Sequence, residues 1–292
     1  MSGEFNQLLD ATIQHLQSLQ ARGAQFVPLE AETIRALNGG AVGSRTAGAP
    51  TSVPERTSTP PGTSTPAVSP TLPAASALNS QPSTLNSAKA AAIAELQARA
   101  MACMKCASLA ASRTQVVFGV GNIDAELMFV GEAPGADEDA QGEPFVGAAG
   151  MLLTKMIQAM GLARGDVYIG NILKCRPDMP AGSSGNRKPT PEEMQTCIPY
   201  LHEQIDLIKP KVLVAMGGTA MEGLLGKSGI TKLRGHWHTY RGIPLMPTYH
   251  PAYLLRNQSN AEKRKVWEDL MAVMEKLNLP ISEKQRGYFL RA

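Results

Sequence analysis

Apolar positions recur at helical spacing near the start of the chain. Phe5, Leu8, Leu9, Ile13, Leu16 and Leu19 predict a short amphipathic helical segment within residues 1–37. From residue 38 to 87 the pattern stops. Gly, Ala, Ser, Thr and Pro dominate, as in Thr57-Ser-Thr-Pro-Pro-Gly-Thr-Ser-Thr-Pro66, and almost no large side chain is left to offset the entropy of ordering. This stretch reads as a disordered linker. Beyond it, apolar runs alternate with helical periods. An Ala-rich helix over 90–102 precedes Leu127-Met-Phe-Val130, a buried strand, and Gly150-Met-Leu-Leu153 opens a helical run to 160. Val167-Tyr-Ile-Gly-Asn-Ile-Leu173 is a second strand. Thr190 with Glu192 and Glu193 caps a helix to 208, and Lys211-Val-Leu-Val-Ala215 is a third strand. Gly217-Gly-Thr-Ala220 starts another helix, residues 243–249 form a last strand and 261–277 a closing amphipathic helix. The alternation predicts an α/β domain over 88–278, with a central, mostly parallel sheet and helices on both faces, followed by a tail at 279–292.

Composition narrows the setting. A net charge of +3 over 292 residues permits a nucleic-acid partner without demanding one. No apolar run approaches the length of a membrane span, and the first residues lack the basic patch and apolar run of a secretory leader. The expected location is cytoplasmic, away from membranes, where disulfides are disfavoured. The four cysteines, Cys103, Cys106, Cys175 and Cys197, then read as ligands of one metal or cluster more readily than as buried thiols. A close Cys-x-x-Cys and two distant cysteines close a four-thiolate site if the fold joins them, and spacing alone does not separate zinc from iron and sulfur.

In open α/β sheets, ligands bind outside the carboxyl ends of the strands. Three short motifs fall there: Gly131-Glu-Ala-Pro-Gly135 after the first strand, Asn171 near the end of the second, and His250-Pro-Ala-Tyr-Leu-Leu-Arg256 after the last. A glycine-rich turn, an amide, the aromatic Phe145 and an imidazole would converge on one rim. Each is weak alone, since Asn often ends strands and a His beside Pro is often structural. Their common position carries more weight.

Taken in order, Gly131-Glu-Ala-Pro-Gly-Ala-Asp-Glu-Asp139, Gly142-Glu-Pro-Phe-Val-Gly-Ala-Ala-Gly150, Asn171-Ile-Leu-Lys-Cys-Arg-Pro177, Asn186-Arg-Lys-Pro189 and His250-Pro-Ala-Tyr253 resemble the family 4 uracil-DNA glycosylases. The resemblance runs from about residue 103 to 277 and takes in all four cysteines, which in that family hold a [4Fe-4S] cluster. It implies a monofunctional enzyme that flips deoxyuridine from single- or double-stranded DNA, hydrolyses the N-glycosidic bond and leaves an abasic site. Phe145 would stack on uracil and Asn171 would read its N3–H and O4 edge. His250 would steady the departing base. Ala133 stands where the wider superfamily can carry a water-orienting Asp, so Glu132, as a catalytic candidate, and Glu138 become the acidic residues that would position water or shape the pocket against a 5-methyl group. Backbone N–H groups at Ala133 would add to base binding. Leu254 and Leu255, exposed after the His-Pro turn, would wedge into the gap left by the flipped nucleotide, with Arg256 on phosphate. Gly217 and Thr219 at a helix start would receive another phosphate. Lys174 and Lys188 fall in the cluster loop, so strand cleavage through a Schiff base is not expected. The stretch 178–185 is longer than is usual in the family, and the N-terminal segment, outside the resemblance, would suit a protein partner. Two alternatives stay open: a repurposed binder of damaged or single-stranded DNA, and a glycosylase with a broader range of deaminated bases.

Overall fold

The computed structural model describes residues 84–179 and 185–290. The helical segment expected within 1–37, most of the expected linker and loop 180–184 lie outside the described residues. Helix α1 (Thr84–Met101) begins inside the stretch read as linker, so the folded domain starts a few residues before the expected boundary. It leads to the short α2 (Ala107–Ser112) and into the sheet.

The strands are β1 (Val120–Gly121), β2 (Leu127–Gly131), β3 (Tyr168–Asn171), β4 (Val212–Met216), β5 (His238–Tyr240) and β6 (Ile243–Thr248). They lie in the order β1-β3-β2-β4-β6-β5. The central four run parallel, and the two edge strands, neither legible in the sequence pattern, run antiparallel to their neighbours. Register decides function here: Gly131 pairs with Asn171 and Met216 with Thr248, so the central strands end level along one edge.

Between strands come α3 (Ala136–Gln141), α4 (Ala148–Ala159), α5 (Pro191–Ile208), α6 (Gly218–Leu225) and α7 (Ile230–Leu233). After β6 follow α8 (Pro251–Arg256), α9 (Asn260–Lys276) and α10 (Glu283–Arg286), the last within the expected tail. The expected cap of α5 is present: the Thr190 hydroxyl accepts from the Glu193 N–H, and the Glu193 carboxylate accepts from the Thr190 N–H. Side chains alternate across the strands as a doubly covered sheet requires. Met128, Val130, Leu213 and Ala215 pack with α1, α5 and α6 on one face. Leu127, Phe129, Val212, Val214 and Met216 pack with α4 and α9 on the other. Among the described residues no helix is long and apolar enough to cross a membrane.

The end of β6 is anchored by a buried charge. Asp269, 1% exposed, accepts from Arg234 Nε at 3.0 Å and from the Thr248 hydroxyl at 2.6 Å. Removing one partner of a buried pair leaves the other uncompensated. Asp269→Ala should therefore lower the unfolding free energy by about 3–5 kcal/mol, read by chemical denaturation.

Candidate active site

The level strand ends build a cavity of about 140 Å³ lined by Ala133, Phe145, Asn171, Asn186 and His250, with Glu138 on its wall. Gly131 sits at its base because a Cβ there would run into Asn171 Oδ1 and the Phe145 ring. Phe145 adopts a φ of 55°, a left-handed conformation that an aromatic residue takes only under constraint. Glu138 supplies that constraint. Its Oε1 accepts from the Val146 and Gly147 N–H groups at 3.2 and 3.3 Å, and its Oε2 from the Gly135 N–H at 3.0 Å. One carboxylate thus ties the glycine-rich turn to the loop that carries the aromatic ring.

Asn171, 2% exposed, ends β3 with its side chain at the cavity, and no donor among the described residues reaches its Oδ1. His250 is the N-cap of α8: its Nδ1 accepts from the Ala252 N–H at 3.1 Å, which leaves Nε2 to carry the ring proton. Burial, helped by the nearby Arg256 charge, lowers the His250 pKa to about 4. The imidazole is therefore neutral at physiological pH and donates through Nε2. Its ring lies 5.5 Å from that of Phe145, tilted by 32°.

Other expected residues fall elsewhere. Glu132 is absent from the cavity lining; burial raises its carboxyl pKa, opposed by the Thr219 hydroxyl and the Lys188 charge. Thr219 therefore faces Glu132, while Lys188 pairs with Glu222. Gly217 starts α6 as expected, but its N–H is bound to the Thr248 carbonyl at 2.9 Å, so a phosphate would have to use the amides after it. Leu254 corrects the expectation of two exposed leucines. It is 5% exposed and packs with Trp267 and Leu270, because helical spacing turns it inward from α8. Leu255 is 38% exposed, and Arg256 is exposed with no ion pair among the described residues. Asn186 was missed as a site residue. Its motif was visible, but nothing in the sequence indicated that loop 185–190 folds back against Gly135, beside whose Cα the Asn186 amide lies. A larger apolar groove of about 410 Å³ between α4, α8 and α9 lacks converging polar groups.

The cysteines do meet. Cys103, Cys106, Cys175 and Cys197, all free thiols, line one small cavity. Arg113 Nη1 donates to Cys175 Sγ and the Lys174 N–H to Cys197 Sγ, each at 3.2 Å. Burial pushes the Cys197 thiol up to about 11 and raises the Cys106 and Cys175 thiols. N–H donors aimed at sulfur are what thiolate ligands need. No three His, Cys, Asp or Glu groups among the described residues gather tightly enough for a single ion. Four free thiols around a common cavity are a donor set that a metal or cluster could use.

A profile of the Uracil DNA glycosylase superfamily matches residues 118–271. The type-4 uracil-DNA glycosylase of Thermotoga maritima is 48% identical over 177 residues, covering 59% of this chain and 88% of that protein. The chain belongs to the type-4 uracil-DNA glycosylases. Its likeness to the type-4 enzyme of Sulfurisphaera tokodaii is 40% over 206 residues, covering 67% and 89% of the two chains. A type-5 uracil-DNA glycosylase of Thermus thermophilus is more distant, at 30% over 153 residues and 45% and 67% coverage. The profile match takes in the strands and loops that build the cavity.

His250 gives the site a pH signature. Its ordinary pKa of 6.5 falls to about 4 on folding, so between those values the unfolded chain binds a proton that the folded chain refuses. Stability from this group is full above pH 6.5 and is lost as pH falls toward 4, on the order of 3 kcal/mol in all. Denaturation midpoints followed over that range should fall less steeply with acid in His250→Gln than in the parent.

Proposed function

We propose that this type-4 family member excises uracil from DNA, releasing the base and leaving an abasic site. The observation that carries this reading is the buried Asn171 Oδ1, an acceptor with no donor among the described residues. Uracil N3–H is such a donor, and the other atom of the amide donates to O4. Cytosine presents an acceptor at N3 and a donor at N4, so both bonds would be opposed. Phe145 stacks on the base.

Catalysis in this reading rests on the leaving group. The N1–C1′ bond breaks with its electron pair passing to uracil, while charge also develops on an oxocarbenium-like sugar. His250 Nε2–H, held in one tautomer and shielded from water, donates to uracil O2 as negative charge gathers there. A water oxygen then bonds C1′, its proton passing to solvent. Ala133 has no side-chain base, and its backbone N–H adds to the hold on the base. Glu138 shapes the pocket by fixing the Phe145 loop. Glu132 acts from outside the cavity, through Thr219, on the turn it belongs to.

Cys103, Cys106, Cys175 and Cys197 would hold a [4Fe-4S] cluster, which when bound would cross-link the α1–α2 turn, the segment after β3 and helix α5. Leu255 would enter the gap left by the flipped nucleotide, alone rather than with Leu254. Arg256 and the first amides of α6, with Thr219 and the Gly217 turn, would meet phosphates. The domain that begins with α1 at Thr84 would act on single- or double-stranded DNA in the cytoplasm, with the stretch from 38 up to it as tether and 1–37 as a contact for another protein.

Uracil release from a duplex with one U opposite G tests the reading, with parent and His250→Ala compared side by side. The parent should release uracil, and the variant should be slower by roughly 100- to 1000-fold, the usual cost of a lost transition-state donor. A cluster-loaded parent that binds the duplex but releases nothing would point to the repurposed-binder alternative. Arg256→Ala should weaken binding across sequences and lower the salt slope of log Kd by about 1.

A further inference from the structure

Between Asn171 and Cys175 the chain is irregular yet fully buried, so each backbone polar group needs a partner inside the protein. The Ile172 and Leu173 N–H groups donate to the Gly131 and Glu132 carbonyls, both at 3.1 Å. The Lys174 carbonyl accepts from Val117 N–H at 2.8 Å. The Asn171 carbonyl is satisfied by a side chain three residues on. Lys174 Nζ donates to it at 2.9 Å and to Gln204 Oε1 at 2.6 Å. Gln204 is itself fixed, donating to the Phe118 carbonyl and the Tyr168 hydroxyl, both at 2.9 Å.

Lys174 is 2% exposed and does not line the base cavity. Burying an ammonium is expensive unless it is well bonded, and a stability role alone would be met more cheaply by an apolar side chain. Its position is what distinguishes it. The side chain grips the residue that reads the base, and the backbone N–H of the same residue grips Cys197.

We propose that Lys174 is the positioning residue of base recognition, fixing the Asn171 carbonyl and so the direction of its amide, and joining the base reader to the thiolate cage. The proposal rests on the glycosylase reading and names what holds its specificity residue in place. The Phe118 ring, 5.9 Å from Nζ, closes the space around the ammonium.

Lys174→Met in the cluster-loaded protein tests this, with three readings: cluster absorbance, inhibition by free uracil, and KM and kcat on the U·G duplex. The expected result is a retained cluster, uracil inhibition weakened roughly ten- to a hundredfold, and a rise in KM larger than the fall in kcat. Preference for uracil over cytosine should narrow as well. A variant that keeps its cluster and binds uracil as tightly as the parent would overturn the proposal, as would a loss confined to thermal stability. If Lys174→Met does not fold, Gln204→Glu decides. It keeps the ammonium but draws it toward a carboxylate and away from Asn171, so uracil inhibition should weaken in the same direction, and unchanged inhibition would overturn the proposal. A parent that releases no uracil would instead sink the glycosylase reading, so the two failures are distinguishable.

Discussion

A buried amide oxygen without a partner costs about 1–3 kcal/mol, and the rim of this protein is built to sustain that cost at Asn171. The strand that carries it lies between β1 and β2, so its backbone position follows from the sheet register rather than from a loop. Gly131 stands opposite because any larger residue would occupy the space of the amide and of Phe145. Phe145 is held in a left-handed conformation by the bonds that Glu138 makes to its loop. Each of these features is unfavourable or neutral for stability alone. Together they keep a polar group buried and aimed at a cavity, an arrangement that becomes favourable when a donor arrives.

That constraint divides what the sequence disclosed from what it did not. Buried parallel strands are near-continuous apolar runs, so β2, β3 and β4 were legible within a residue or two, and Thr190 with Glu193 marked the start of α5. The edge strands β1 and β5 span two and three residues, too few to show a period. Helix α3 went unread because its acidic first turn looks like a loop; its charges are favourable there through the helix N-terminus, which no apolar pattern reports. Leu254 and Leu255 illustrate a finer limit. Adjacent leucines look alike in sequence, yet in a helix they point about 100° apart, so one belongs to the core and the other to the surface.

The site shows the same division. The motifs around Asn171 and His250 were visible because they sit at strand ends, where topology predicts convergence, whereas Phe145 lies in the loop between α3 and α4. Asn186 and Lys174 were assigned to no pocket, because both lie on irregular segments whose path depends on long-range contacts. Lys174 is the clearer case. A lysine in a basic-looking run reads as a solvated charge, and only the buried carbonyls of Asn171 and Gln204 turn it inward.

In the proposed mechanism the His250 imidazole, which also lines the cavity, takes the place of a carboxylate at position 133. A charged histidine would attract the developing uracil anion more strongly, but burial puts its pKa near 4, so the imidazole is neutral at neutral pH and protonating it there would cost free energy. In the proposed mechanism a neutral donor avoids that cost, and its bond strengthens as charge moves onto O2. The backbone N–H of Ala252 completes the device by binding Nδ1, so the only proton on the ring is the one that faces the base. In the proposed mechanism, departure of the leaving group carries the rate, and the attacking water would need little activation once an oxocarbenium-like sugar has formed. A mechanism weighted this way depends on the precision with which uracil is held, which returns the burden to Asn171 and to whatever fixes its carbonyl.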